Sequence, residues 1–257
     1  MYYGMIRPLM PFRIKGAIWY QGENNVGDGY WYRYKLAAMV RNWRERWGIG
    51  EFPFTIAQLA GNGRHRPDEP CERGGWAEFR EAQHAVTDLL PNVGTATLID
   101  VGETNDVHAW NKHAAGRRLA LWALARDYGR DIACSGPVYR SHRIVGNKVV
   151  VEFDSVGSGL TSARLTAKEC SVPARKGKSE EWEVQIAKPE GVRYAWSGNP
   201  KANLYNLDGL PTLPFRTDDL ELLIQGRKRD AWGGYTFRVR PGNPRHPPPV
   251  PKPTLQR

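Results

Sequence analysis

In the first half of the chain a short apolar run repeatedly gives way to an amphipathic helical stretch, and this alternation restricts the fold more than any other feature. Ile14–Tyr20 reads as a short buried strand that stops at the Gly22 turn. From Tyr30 to Trp47 the apolar residues Leu36, Met39, Val40, Trp43 and Trp47 recur at helical spacing. Arg41, Arg44 and Glu45 fall on the other face, and Gly48 suits the end. Phe52–Leu59 is the next strand, followed by a polar loop over 61–75 and a helix over Trp76–Leu90. Gly94–Val101 is a third strand, and Asn111–Tyr128 an Ala/Leu-rich helix with Asn111 as its cap and Gly129 as its close. Consecutive strand–helix units predict a parallel sheet flanked by helices on both faces, an α/β fold.

After about residue 135 the pattern changes. Arg143–Val145 and Lys148–Phe153 flank Gly146-Asn147, a two-residue hairpin signal. Val192–Trp196 and Tyr235–Val239 also read as strands, so the second half is a β-rich appendage. The net charge of +10 is unevenly spread: residues 220–257 hold eight Lys/Arg against two Asp/Glu and end in a proline-rich stretch. This segment is expected to be a solvated, partly disordered tail. Nucleic-acid binding through Arg227–Arg229, Arg238, Arg240 and Arg245 is the weaker expectation, because no base-stacking motif accompanies them. No apolar run reaches the roughly 18 residues of a membrane span. No basic-then-apolar leader opens the chain. The three cysteines, Cys71, Cys134 and Cys170, stand too far apart for a disulfide framework or a cysteine zinc site.

In parallel α/β sheets the working side chains gather where strands end and loops begin. Two such junctions are polar here: Trp19–Asn25 after the first strand and Asp100–His108 after the third. If those strands are neighbours, Gln21 and His108 face one another across the mouth of the sheet. Asp106, two residues before His108, can accept a hydrogen bond from one imidazole nitrogen and leave the other to act as a general base. The Gln21 amide and the Gly22 N–H can serve an oxyanion. Spacing alone favours a structural arrangement, in which Asp106 caps a turn and His108 fills the first turn of a helix. His108 and His113 are five apart and do not share a helix face as metal ligands, and no metal or other cofactor is expected. Trp43 and Trp47 read as core; Trp31, Trp76 and Trp110 border polar loops and stay open.

The segments Gly16-Ala-Ile-Trp-Tyr-Gln-Gly-Glu-Asn24 and Asn105-Asp-Val-His108, taken together, resemble the sialate O-acetylesterases, carbohydrate esterases of the SGNH hydrolase superfamily. Further blocks match in order: Trp43–Gly48, Phe52–Phe54, Gln58–Ala60, Trp76–Gln83, Gly116–Leu121, Ser135–Pro137, Val192–Trp196, Asn203–Asn206 and Pro214–Asp218. The resemblance implies a flavodoxin-like parallel sheet and hydrolysis of acetyl esters on sugars without a cofactor. It assigns His108 as the base, Asp106 as its partner, Gln21 with Gly22 as the oxyanion hole, and Glu23 as a supporting residue.

Two departures shape the expectations. Asn24 stands where the family usually has serine, in Gln-Gly-Glu-Ser-Asn. The family's nucleophilic serine lies in a Gly-Gln-Ser-Asn block upstream of everything matched here, and no serine precedes Ser135. The expected organisation is therefore residues 1–134 as the C-terminal majority of a hydrolase domain lacking its N-terminal strand, 135–219 as the appendage and 220–257 as the tail. Such a chain is expected to be inactive alone, and to expose an uncovered sheet edge at Ile14–Tyr20 through which copies self-associate. The alternative is a non-catalytic carbohydrate-binding remnant of the same fold, with Arg64, Arg66 and Trp76 as sugar contacts.

Overall fold

The structure, a computed structural model, describes residues 2–63, 75–162, 174–176, 181–185, 190–219, 222, 227–229 and 235–238. Three parallel strands, β1 (Ala17–Trp19), β2 (Phe54–Gln58) and β3 (Val93–Thr97), form a sheet in the order β1-β2-β3. The central β2 is buried along its whole length, which is why it reads as an unbroken apolar run rather than an alternating one. Its side chains alternate between two cores. Phe54 and Ile56 join Tyr32, Leu36 and Val40 of α1 (Gly29–Trp47), Phe79 of α2 (Trp76–His84) and Val86 of α3 (Val86–Leu89). Ala57, with Ala96 and Leu98, packs against Ala115 and Leu119 of α4 (Lys112–Trp122). Helices thus cover both faces, as an α/β sheet requires.

Several local expectations are revised. β1 is three residues long, and Ile18 at its centre is 67% exposed. Trp19 packs on the α1 side, whereas α4 is seated over β2 and β3, and among the described residues Ile18 on the far face of this edge strand stays exposed. Arg44, expected on the polar face of α1, is buried. It donates to the carbonyls of Phe52, Pro91 and Asn92 at 2.8–3.2 Å and pairs with Glu51, closing the loops at the amino end of the sheet. The helix expected over 76–90 breaks at Ala85, where the Thr87 hydroxyl takes the His84 carbonyl (2.8 Å) and Asp88 N–H bonds Ala85 instead. The third strand stops at Thr97, because Val101 N–H turns back to Leu98 O at 3.1 Å. Helix α4 begins as expected, with Asn111 Oδ1 accepting from Ala114 N–H at 3.0 Å, and beyond Trp122 relaxes into a wider turn, Ala123–Asp127.

From Val138 onward the strands are antiparallel. β4 (Val138–Val145) and β5 (Lys148–Asp154) form the hairpin about Gly146-Asn147. They continue through β8 (Glu181–Gln185) to β7 (Ala174–Lys176) in one sheet, while β6 (Leu160–Ser162) pairs with β10 (Leu204–Asn206) and β9 (Arg193–Tyr194) with β11 (Phe215–Arg216). Val149, Val151, Phe153, Tyr194, Leu204 and Phe215 build a separate core. In the basic segment the backbone of β12 (Arg227–Arg229) pairs with β13 (Tyr235–Arg238); Arg240, Arg245 and the proline-rich stretch lie outside the described residues.

The two halves meet through α2. Fully buried Arg80 donates to Leu59 O and Ala60 O at the end of β2, and to Ser197 O and Gly198 O of the appendage, all within 2.7–2.9 Å. Glu81 pairs with Arg216 at 2.9 Å, and Trp196, 1% exposed, packs on Ala77.

Candidate active site

Because the three strands run parallel, the segments that follow them emerge on one rim of the sheet. Gln21 and Gly22 follow β1, Leu59–Gly63 follows β2, and the loop 98–111 follows β3. β1 and β3 are not neighbours: β2 lies between them, so the direct facing that adjacency would have given is replaced by two polar loops flanking a central segment. That segment is tied to the loop after β3 and to the appendage. Glu103 N–H donates to Gly61 O (3.1 Å), Asn62 N–H to Gly198 O (3.0 Å) and Asn199 Nδ2 to Gly63 O (2.8 Å). Across the rim the Lys112 ammonium lies 4.9 Å from the centre of the Tyr20 ring.

The Gln21 amide is held at both ends. Tyr32 Oη donates to its Oε1 at 2.9 Å, and its Nε2 donates to Asn25 Oδ1 at 2.9 Å. Asn25 in turn donates to Asp28, which Lys35 pairs with at 2.9 Å. The Gln21 carbonyl accepts from Gln83 Nε2 at 3.3 Å, linking the loop to α2. An Nε2–H beyond the one given to Asn25 is available to a ligand oxygen. Gly22 is buried with φ of +154°, and a Cβ there would overlap the Phe79 ring, so only glycine fits. Its N–H, expected to serve an oxyanion, donates to Glu23 Oε2 at 3.0 Å. Glu23 therefore occupies the second donor and must swing aside before Gly22 can serve an oxyanion. Asn24, at the family's serine position, is exposed on the short helical turn Glu23–Asp28.

The loop after β3 is anchored at its base by Asp100, which receives both Arg118 guanidinium nitrogens (2.6 and 2.8 Å) and Tyr205 Oη of the appendage (3.2 Å). Farther out, Asp106 Oδ1 accepts the His108 backbone N–H at 2.8 Å and lies 3.2 Å from its Nδ1, while Oδ2 accepts the Trp110 indole N–H at 3.2 Å. The backbone N–H of His108, then the indole, hold the Asp106 carboxyl below the usual carboxylate range. The turn-capping and histidine-orienting roles coexist in one carboxylate. His108 precedes α4 rather than lying in it, and its side chain is 82% exposed. With Nδ1 engaged, Nε2 has no hydrogen-bond partner among the described residues.

Among the described residues no hydroxyl hydrogen-bonds His108. Ser135 is buried and gives its hydroxyl to Gly136 O (2.9 Å). No group of three or more His, Cys, Asp or Glu side chains able to hold a metal occurs among the described residues, and no described helix is long and apolar enough to cross a membrane. Of the suggested sugar contacts, Arg64 and Arg66 lie outside the described residues, and Trp76 is half-buried against the α1–β2 core. Sequence reasoning missed Tyr32 and left Trp110 open. Tyr32 stands four residues before Leu36 on the buried stripe of α1, and a phenol in that stripe was the available signal for a buried hydrogen-bonding role.

Residues 3–125 match the family model described as carbohydrate esterase, sialic acid-specific acetylesterase. The chain is similar to the sialate O-acetylesterases of Homo sapiens (26% identical over 158 residues, 56% of this chain and 30% of that protein) and Mus musculus (27% over 148 residues, 52% and 27%). It superposes on the crystal structure of a carbohydrate acetylesterase from Xanthomonas citri with a TM-score of 0.74 and 39% identity, covering 85% of this chain and 54% of that one. The chain thus spans about a third of the curated relatives it matches and about half of the crystallised one. The α/β architecture, the order of the matched blocks and these likenesses agree: over residues 3–125 the chain is similar to the sialic acid-specific acetylesterases among carbohydrate esterases.

Proposed function

We propose that this chain carries the base and oxyanion elements of an enzyme that hydrolyses acetyl esters on sugars. The observation that carries the proposal is the Asp106–His108 pair, with Nδ1 engaged and Nε2 open, on the same rim as a Gln21 amide fixed at both ends. A serine hydroxyl placed at Nε2 attacks the acetyl carbonyl carbon while its proton passes to His108. The carbonyl oxygen gathers negative charge opposite the Gln21 N–H. Collapse expels the sugar oxygen, which takes the proton back from His108, and a water repeats the sequence to release acetate. Asp106 stays ionised throughout and stabilises the imidazolium.

Residues 1–134 contain no serine, so the hydroxyl must be brought to His108 from elsewhere. Acetate release from an aryl acetate and from acetylated methyl glycosides tests this, with the chain alone and with it joined to a family amino-terminal segment bearing Gly-Gln-Ser-Asn. The joined protein is expected to turn over and the bare chain to lag it by at least 100-fold. In the joined protein His108→Ala is expected to abolish turnover. Activity that persists in His108→Ala overturns the assignment of the base. The edge of β1, with Ile18 exposed, additionally supports self-association, which sedimentation of the wild type against Ile18→Lys resolves.

A further inference from the structure

Eight tryptophans have described side chains, and seven of them are buried or half-buried; Trp110 is 80% exposed. An indole left in water on a folded surface asks for an explanation, because its large apolar faces would ordinarily be covered. Trp110 is also not free to move. Its Nε1–H is fixed on Asp106 Oδ2 at 3.2 Å, the carboxylate whose other oxygen holds His108. The imidazole and the indole therefore fan out from one anchor, and a group lying on the indole sits beside the ring that would accept the proton. Thr104 and Asn105, both exposed, border the same loop with a hydroxyl and an amide.

We propose that Trp110 is the platform on which the pyranose ring of an acetylated sugar stacks, holding its ester beside His108. An electron-rich indole face attracts the polarised C–H bonds on the apolar side of a pyranose, while the sugar hydroxyls turn outward to water and to the polar loop. The arrangement is preorganised: the hydrogen bond to Asp106 sets the indole before the ligand arrives, so little ordering is left for binding to supply. The proposal rests on the assignment of this loop as the active site, but its test does not depend on turnover.

The test follows the indole N–H resonance of Trp110, assigned by its loss in Trp110→Phe, while the chain is titrated with acetylated methyl glycosides of glucose, xylose and a sialic acid. A saturable shift with at least one of them is expected. Calorimetry should then show at least a tenfold weaker Kd for Trp110→Ala. Trp110→Phe, which keeps a ring but no N–H, should stay within about threefold of wild type. If no glycoside moves the resonance, or if Trp110→Ala binds as tightly as wild type, the platform is overturned. Binding that survives while His108→Ala retains full turnover would instead remove the assignment of the base and leave the platform standing.

Discussion

Gln21 and His108 lie at the ends of two short hydrogen-bonded chains, and each chain fixes its terminal group by a different residue type. The Gln21 amide is oriented by a phenol, Tyr32, which also accepts the Trp19 indole N–H at 3.2 Å. Tyr32→Phe leaves Gln21 Oε1 and the Trp19 N–H without their partner, costing about 1 kcal/mol of stability in urea unfolding. In the joined protein its kcat is expected to fall about tenfold, ~1.4 kcal/mol of barrier, with KM nearly unchanged, because a turned amide is missed only when charge develops. A KM effect without a kcat effect would place Gln21 in substrate binding instead. On the other chain, Asp106→Asn can keep its oxygen toward the His108 backbone N–H and Nδ1 only by turning its N–H toward the Trp110 indole N–H, and it removes the charge that would stabilise an imidazolium. Turnover should drop on the order of 100- to 10,000-fold. Because the His108 and Trp110 donors hold Asp106 below the ordinary carboxylate range, the wild-type carboxylate is ionised wherever an imidazole titrates. Protonation of Asp106 should then contribute nothing to the rate profile above the ordinary carboxylate range.

At the level of elements, α4 joins the β3 loop to the second core, and its start is decided by one side chain. Asn111 directly follows Trp110 and caps Ala114 N–H. Asn111→Ala should lower stability by about 1 kcal/mol, while Asn111→Ser should recover most of it, read from urea midpoints with unchanged m-values. This cap, the three strands and the Gly146-Asn147 hairpin were legible because each rests on residues close in sequence. What was not legible depended on contacts distant in the chain. Arg44 looks like a polar-face residue until the carbonyls of Phe52, Pro91 and Asn92 converge on it from two other loops. The break at Ala85 has no glycine or proline to announce it. The Glu23 carboxylate reaches back to the Gly22 N–H, a choice of partner that no spacing rule favours over an open oxyanion donor. Asp106 and His108 were legible as a pair, but the third member, Trp110, was not, since an indole near a polar loop reads equally as core or as surface.

Over the whole molecule, proton uptake and the union of the two halves set the stability. His84, at the end of α2, is half-buried against β3, with Nδ1 3.2 Å from Thr95 Oγ1. Burial lowers its pKa, opposed by the Asp88 and Glu81 carboxylates. The unfolded chain binds this proton near pH 6.5 while the native state does not, so its contribution is complete above that value and is lost as pH falls below it. Stability measured from pH 7.5 to 5 should decline more steeply in wild type than in His84→Gln; equal slopes would assign the decline to other groups.

Arg80 ties the two halves together: its guanidinium takes two carbonyls from the end of β2 and two from the 197–198 turn of the appendage. A planar cation with donors in a fork suits this position, because four carbonyl oxygens from two directions need fixed N–H vectors. Arg80→Met keeps much of the apolar stem and strands those oxygens in the interior, costing about 3 kcal/mol or more. The loss should also change the character of unfolding. With Arg80 in place, the tryptophan-rich α/β core and the β appendage should unfold in one transition by near-ultraviolet and far-ultraviolet dichroism. In Arg80→Met the two probes should separate, the appendage melting first, and the 98–111 loop should exchange its amides faster because the Asn62–Gly198 and Tyr205–Asp100 ties weaken together. Coincident transitions in the variant, with unchanged exchange in that loop, would mean that the appendage is fastened elsewhere and that the active-site rim stands without it.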